Sequence, residues 1–162
     1  MLLRGNRAKK VQSVHFDAFE SENYPNLAES GIVIDYNTAA IRPYESHRKL
    51  VNLNDLDNRV MILKLFPGIT EKVMDACFDI EGLKGVVLET YGSGNSPSEA
   101  WFMKSLERAI KKGLIILNVS QCNGGRVIQG RYETSKELLN VGVVSGADMT
   151  TEAAITKLMF LL

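Results

Sequence analysis

The chain is 162 residues long and 45% apolar, with 19 basic and 19 acidic side chains, a size that supports one main hydrophobic core burying roughly two thirds of the unfolded surface. Balanced charge leaves no basic excess for neutralising phosphates, which excludes a dedicated nucleic-acid binder. No apolar run approaches the roughly 20 residues that cross a bilayer, and the opening MLLRGNRAKK lacks the apolar stretch of a secretion signal, so the expected setting is the cytoplasm, without a membrane partner.

Residues 1–55 scatter their apolar side chains through FDAFESENYPNLAES and DYNTAAIRPYESHRK without a sustained period, and they read as a connecting arm with short strands expected at 32–36 and 50–53. Residues 56–162 change character. VMILKLF from Val60, GVVLETY from Gly85 and LIILNVS from Leu114 are dense in Val, Ile and Leu, as strands covered on both faces of a parallel sheet are. Thr70, after Pro67 and Gly68, is placed to cap a helix through Val73, Met74, Cys77 and Phe78. Ser96, Pro97 and Glu99 supply a cap, a first-position proline and a third-position acid for a helix with Phe102, Leu106, Ala109 and Ile110 on one face and a stop at Gly113. Thr134 and Glu137 repeat the capping spacing before Leu138, Leu139 and Val141. A last helix from about Thr150, with Asp148 or Thr150 as cap, is expected to bury Ile155, Leu158, Met159 and Leu162. Strand and helix alternate, and right-handed crossovers then predict an α/β fold: a doubly wound parallel sheet with helices on both faces.

In such sheets ligands gather at the carboxyl ends of the strands. The turn YGSGN, residues 91–95, stands there, with two glycines free to bring backbone close to a ligand, an asparagine that both donates and accepts, and a helix expected to begin just beyond it. NVSQCNGG follows the next strand and offers Ser120, Gln121, Cys122 and Asn123 at a second strand end. The two loops either share a pocket for a small polar ligand or are plain strand-to-helix connections. Pro97 stands where a dinucleotide fingerprint needs its third glycine, and no phosphate-binding glycine loop occurs, so no nucleotide or other cofactor is expected. Cys77 and Cys122 lack metal-ligand spacing and are expected to be reduced thiols, with no metal site. Neither His15 nor His47 shows any sign of pairing with Cys122 as a nucleophile.

Taken in order, RGNR, FDAF, GVVLETYGSGN, NVSQCNGG and SGADMTTEAAITKLMFLL span nearly the whole chain, and together they resemble the second half of the type I, cytoplasmic L-asparaginases. That family hydrolyses the side-chain amide of L-asparagine to L-aspartate and ammonia. The resemblance implies an arm, residues 1–55, linking to a missing N-terminal catalytic domain, followed by a C-terminal α/β domain over 56–162. The family's threonine nucleophile, in a Thr-Gly-Gly-Thr loop, and its Gly-Thr-Asp-Thr motif are absent from this chain, which is therefore expected to be inactive alone. The resemblance also implies that Lys10, three residues after Arg7, is the remaining member of a Thr-Asp-Lys set. Tyr91, Gly92, Gly94 and Asn95 would reach a neighbouring subunit's active site, or form with Ser120 and Cys122 a regulatory asparagine site known in some bacterial members. Two positions depart from the regulated pattern: Glu89 replaces an arginine that pairs with the effector's carboxylate, and Lys9 replaces a threonine.

Partners implied by the resemblance are L-asparagine, the N-terminal domain and further copies of the chain. Two other readings stand beside it. One is the asparaginase-like subunit of the amidotransferase that converts glutamyl-tRNA to glutaminyl-tRNA. The other is a non-catalytic module in which the two loops bind an amino acid or mediate dimerisation.

Overall fold

A computed structural model describes residues 1–128, 130 and 133–162, with the side chains of 133–135 left undescribed. The chain divides into two compact units, Met1–Asp55 and Leu56–Leu162.

The first unit is built from hairpins. A 3-10 turn, Gly5–Arg7, leads into β1 (Lys9–Lys10), which pairs antiparallel with β2 (Phe19–Glu20), Lys9 opposite Glu20 and Lys10 opposite Phe19. Strands β3 (Ala28–Ser30) and β4 (Ile34–Tyr36) form a second hairpin around Gly31, whose amide donates to the Val33 carbonyl at 3.0 Å. Leu2 donates to the Ala28 carbonyl at 2.7 Å and ties the chain start to β3. Among the described residues of this unit only Ala28 and Ala40 are buried apolar residues, which matches the missing hydrophobic period. Two expectations change here. The strand expected over 32–36 keeps only Ile34–Tyr36, because residues 31–33 turn the hairpin. Residues 50–53 form no strand; Leu50 is 98% exposed and the segment has no partner to pair with among the described residues.

The second unit is a four-stranded parallel sheet in the order β5 (Val60–Lys64), β6 (Gly85–Thr90), β7 (Ile115–Ser120), β8 (Val144–Ser145). Sequential order puts three crossovers on one face, because each is right-handed. Helices α1 (Glu71–Phe78), α2 (Ala100–Lys111) and α3 (Glu133–Asn140) accordingly share a core with Val86, Leu88 and Ile116 through Met74, Phe78, Phe102, Leu106, Ala109 and Leu138. The alternate residues Val87, Leu117 and Val119 face α4 (Thr151–Leu161) through Ala154 and Leu158. Helices thus lie on both faces, with α4 the covering helix on the second. β6 is central, and all six of its residues are buried, which explains why its sequence is a continuous apolar run rather than an alternating one.

The caps show how local chemistry sets the boundaries. Thr70 Oγ1 accepts from the Val73 amide and Thr150 Oγ1 from the Ala153 amide, satisfying donors that the first helical turn leaves orphaned. Gly113, at φ 94°, ends α2 and lets the Leu114 amide reach back to the Ala109 carbonyl at 3.2 Å. Ser96 is not the cap of α2. Residues 96–99 form no helix, Glu99 is extended at φ −70° and ψ 136°, and the helix starts at Ala100 with no side-chain cap. The proposed Thr134 cap lies outside the described side chains. Asp75 on α1 accepts from the Ser105 hydroxyl at 2.8 Å and pairs with Arg108 on α2. Burial pushes its carboxyl up, but Ser105 and Arg108 outweigh that and hold it below the ordinary value. At the amino ends of β5 and β6 Asp57 binds Arg59 and Lys84, at 2.6 and 3.2 Å. No helix of the described residues is long and apolar enough to cross a membrane.

Candidate functional site

The loops that leave β6 and β7 at their carboxyl ends are tied together by their own backbone. Residues 91–95 close on themselves: the Tyr91 amide donates to the Asn95 carbonyl at 2.9 Å, and the Gly94 and Asn95 amides donate to the Tyr91 carbonyl at 3.0 and 2.8 Å. So tight a closure uses left-handed backbone at Gly92, φ 50°, and Gly94, φ 112°. A methyl group added at Gly94 would lie 3.0 Å from Val127 Cγ1, whereas one at Gly92 would meet nothing within 4 Å. Gly94 therefore seats the loop on the protein, and Gly92 leaves an open approach to its backbone.

From β7, the Ser120 hydroxyl donates to the Gly92 carbonyl at 2.6 Å and accepts from the Cys122 amide at 3.0 Å. One side chain joins both loops. Tyr91, Gly92, Gly94, Asn95, Ser120 and Cys122 consequently stand together over two neighbouring strand ends. Gln121 turns the other way, donating to the Leu65 and Glu89 carbonyls at 2.6 and 2.9 Å, so it clamps β5 to β6 instead of facing a ligand. Beneath the loop the Thr90 hydroxyl donates to Asn118 Oδ1 at 2.7 Å, while Asn118 Nδ2, wholly buried, has no hydrogen-bond partner. The Ile128 amide donates to the Ser93 carbonyl at 3.0 Å and the Val127 amide to the Ala147 carbonyl at 2.8 Å, which binds the ends of three strands into one platform. The roles of Gln121, Asn118 and Val127 leave no local sequence signal, since each acts through a partner far along the chain.

Glu89 faces the α4 side. It is 8% exposed, one oxygen accepts from the Thr151 hydroxyl in the first turn of α4, and the other lies 3.9 Å from Lys64 Nζ. Its carboxylate is satisfied within the fold. The start of α2 is also farther along the chain than expected, at Ala100, with Glu99 before it, so the positive helix end predicted to adjoin Asn95 is displaced by several residues.

Lys9 and Lys10 belong to the first unit, where the 3-10 turn delivers them onto β1. Lys9 is half-buried and Lys10 exposed. Opposite Lys9, Glu20 has its carboxyl pushed up, first by a hydrogen bond shared with Glu22, then by partial desolvation and by the charges of Glu22 and Asp17. His15 and His47 lie in this first unit as well. Among the described residues no group of three or more His, Cys, Asp or Glu could hold a metal ion.

A parallel α/β sheet with glycine-built loops joined over its carboxyl ends defines the class: a domain that presents backbone and small polar groups from strand ends. Residues 59–162 match the family model described as the glutaminase/asparaginase C-terminal domain, and the chain belongs to that family. Across 161 residues it is 37% identical to L-asparaginase 1 of Escherichia coli K12, covering 99% of this chain and 47% of that protein. It is 35% identical over 167 residues to a glutamyl-tRNA(Gln) amidotransferase subunit of Methanobrevibacter smithii, covering 99% of this chain and 36% of that one. The crystal structure of L-asparaginase I from Vibrio cholerae superposes with a TM-score of 0.89 at 33% identity, over 98% of this chain and 48% of the other. The chain thus spans about half the length of the L-asparaginases it matches.

Proposed function

We propose that this chain is the C-terminal half of an L-asparaginase, which hydrolyses the side-chain amide of L-asparagine to L-aspartate and ammonia. The observation that carries the reading is its similarity to L-asparaginases along nearly its whole length, hairpin unit included. The nucleophile is a threonine on a preceding domain. A threonine hydroxyl is a weak nucleophile at neutral pH and needs a neighbouring group to take up its proton; Lys10 takes part in that activation with the partner domain's threonine and aspartate. The chain alone is inactive, works in the cytoplasm and assembles with further copies of itself.

The 91–95 loop, with Ser120 and Cys122, forms a surface for the neighbouring subunit or a small amino acid. Regulation by asparagine through position 89 is disfavoured, because the Glu89 carboxylate is negative and already engaged by Thr151 and Lys64. The glutamyl-tRNA amidotransferase remains the second reading, resting on the 35% identity to its asparaginase-like component. A non-catalytic module is the third, and it predicts amino-acid binding without turnover. In the full-length protein, Lys10→Ala is expected to lower kcat for ammonia release by at least about 100-fold. Unchanged kcat would remove Lys10 from the chemistry, and ammonia release only in the presence of a partner protein and charged tRNA would favour the amidotransferase.

A further inference from the structure

The hairpin unit holds Lys10 at the end of a short relay of contacts. Arg4 and Arg7 bracket the 3-10 turn, with the Arg7 amide donating to the Arg4 carbonyl at 2.9 Å. Side chains three apart eclipse in a 3-10 turn, so both arginines project to the same side. Both meet one ring: Arg4 Cζ lies 4.4 Å and Arg7 Cζ 5.8 Å from the centroid of Tyr24, within the range in which the negative face of an aromatic ring attracts a guanidinium. The ring is itself anchored. Tyr24 is half-buried, its hydroxyl donates to the Ala40 carbonyl at 2.9 Å, and its own carbonyl accepts from the Ser21 hydroxyl at 2.9 Å. Ala40 is buried, and its amide is held by Asn37.

We propose that Tyr24 is a positioning residue for Lys10: its ring gathers Arg4 and Arg7, fixes the 3-10 turn between them, and so sets the direction in which β1 presents Lys10. This rests on the reading of Lys10 as a member of the catalytic set. Two guanidinium groups on one side of a turn repel, and a ring that attracts both offsets that repulsion. Between Arg7 and Lys10 lie only Ala8 and Lys9, so a change in the turn is transmitted over a single short step. β1 is two residues long, pairs with β2, and presents Lys10 exposed. A strand so short has little stiffness of its own with which to correct a displaced turn.

The test compares Tyr24→Leu, Tyr24→Phe and the pair Arg4→Gln with Arg7→Gln in the full-length protein. Tyr24→Leu and the double arginine variant are expected to lower kcat for ammonia release about 10- to 100-fold with KM within about twofold, the signature of a displaced reacting group. Tyr24→Phe keeps the ring and is expected to stay within about threefold of wild type. In the present chain, hydrogen exchange gives a readout independent of activity: Tyr24→Leu is expected to speed exchange at the Arg7 and Val11 amides about tenfold, with β6 unchanged and Tyr24→Phe near wild type. Unchanged kcat in Tyr24→Leu, a Tyr24→Phe defect equal to that of Tyr24→Leu, or unaltered exchange at Arg7 would overturn the proposal. A wild-type protein that releases no ammonia would instead overturn the functional reading, and the exchange comparison would still decide whether the ring holds the turn.

Discussion

The two units of this chain use their apolar residues in opposite ways. Leu56–Leu162 encloses them: Phe102, Met74, Leu88, Leu106 and Leu138 are all fully buried. Met1–Asp55 leaves them out, with Phe16, Ile32, Leu50 and Tyr44 at least 90% exposed. Backbone hairpins, one anchored tyrosine and two arginines stand in for a core there. The difference teaches that apolar burial is concentrated in one unit of the chain, apart from the residue proposed for the chemistry. The second unit has the apolar burial that a self-supporting domain needs, whereas the first carries the lysine of the proposed catalytic set on a scaffold with little burial of its own.

The contrast is broken most forcefully in the second unit's core. Phe102→Ala deletes a wholly buried ring packed edge-on against Trp101, at 5.8 Å between centroids, and should cost about 3–5 kcal/mol by urea unfolding followed through Trp101 fluorescence. A loss below about 1 kcal/mol would show that this core is not what stabilises the unit. Next comes Gly94→Ala, which puts a side chain at φ 112° and 3.0 Å from Val127. It is expected to cost about 1–3 kcal/mol and to move the amide resonances of 91–95 and Val127, while Gly92→Ala, with open space around it, incurs only the backbone strain.

The smallest effect is one of pH, and it has opposite signs in the two units. The hydrogen bonds from Arg59 hold the Asp57 carboxyl well below its ordinary 3.8, helped by Lys84, and Asp75 is lowered in the same direction. A carboxyl with a depressed folded-state pKa stabilises the fold above its unfolded value and loses that contribution as pH falls through the folded one. The second unit should therefore weaken below about pH 4, and Asp57→Asn should flatten that acid slope. Glu20 is shifted up, so its contribution is present below the unfolded value and is lost as pH rises through the folded one. Acid should then slow hydrogen exchange at the β1 and β2 amides relative to Glu20→Gln as pH falls towards the ordinary 4.5 of a glutamate, above the range in which the second unit loosens. Matching pH responses in both units would argue against these assignments.

Much of the second unit was legible from local chemistry. Dense Val, Ile and Leu located β5, β6 and β7, and threonines at positions 70 and 150 marked helix starts because a hydroxyl there meets an orphaned amide. The same logic failed at Ser96, where the helix starts four residues later, at Ala100, without a side-chain cap. β8 escaped notice because two residues, Val144–Ser145, carry no period. In the candidate site, residues at the ends of β6 and β7 could be grouped from strand ends alone, but the inward turn of Gln121 and the Thr90–Asn118 pair depend on partners 28 to 56 residues away. The hairpins of the first unit were missed for the same reason: they are held by backbone pairing between distant residues, such as the Leu2 amide with the Ala28 carbonyl, rather than by any hydrophobic rhythm.

The most direct measurement is ammonia release from L-asparagine by this chain alone and by the chain joined to an asparaginase N-terminal domain. The account predicts none above background for the chain alone and Lys10-dependent turnover once the preceding domain supplies the threonine. Turnover by the chain alone, or turnover in the joined protein that survives Lys10→Ala, would contradict the division between a self-supporting α/β unit and a hairpin unit that lends its lysine to a neighbouring catalytic domain.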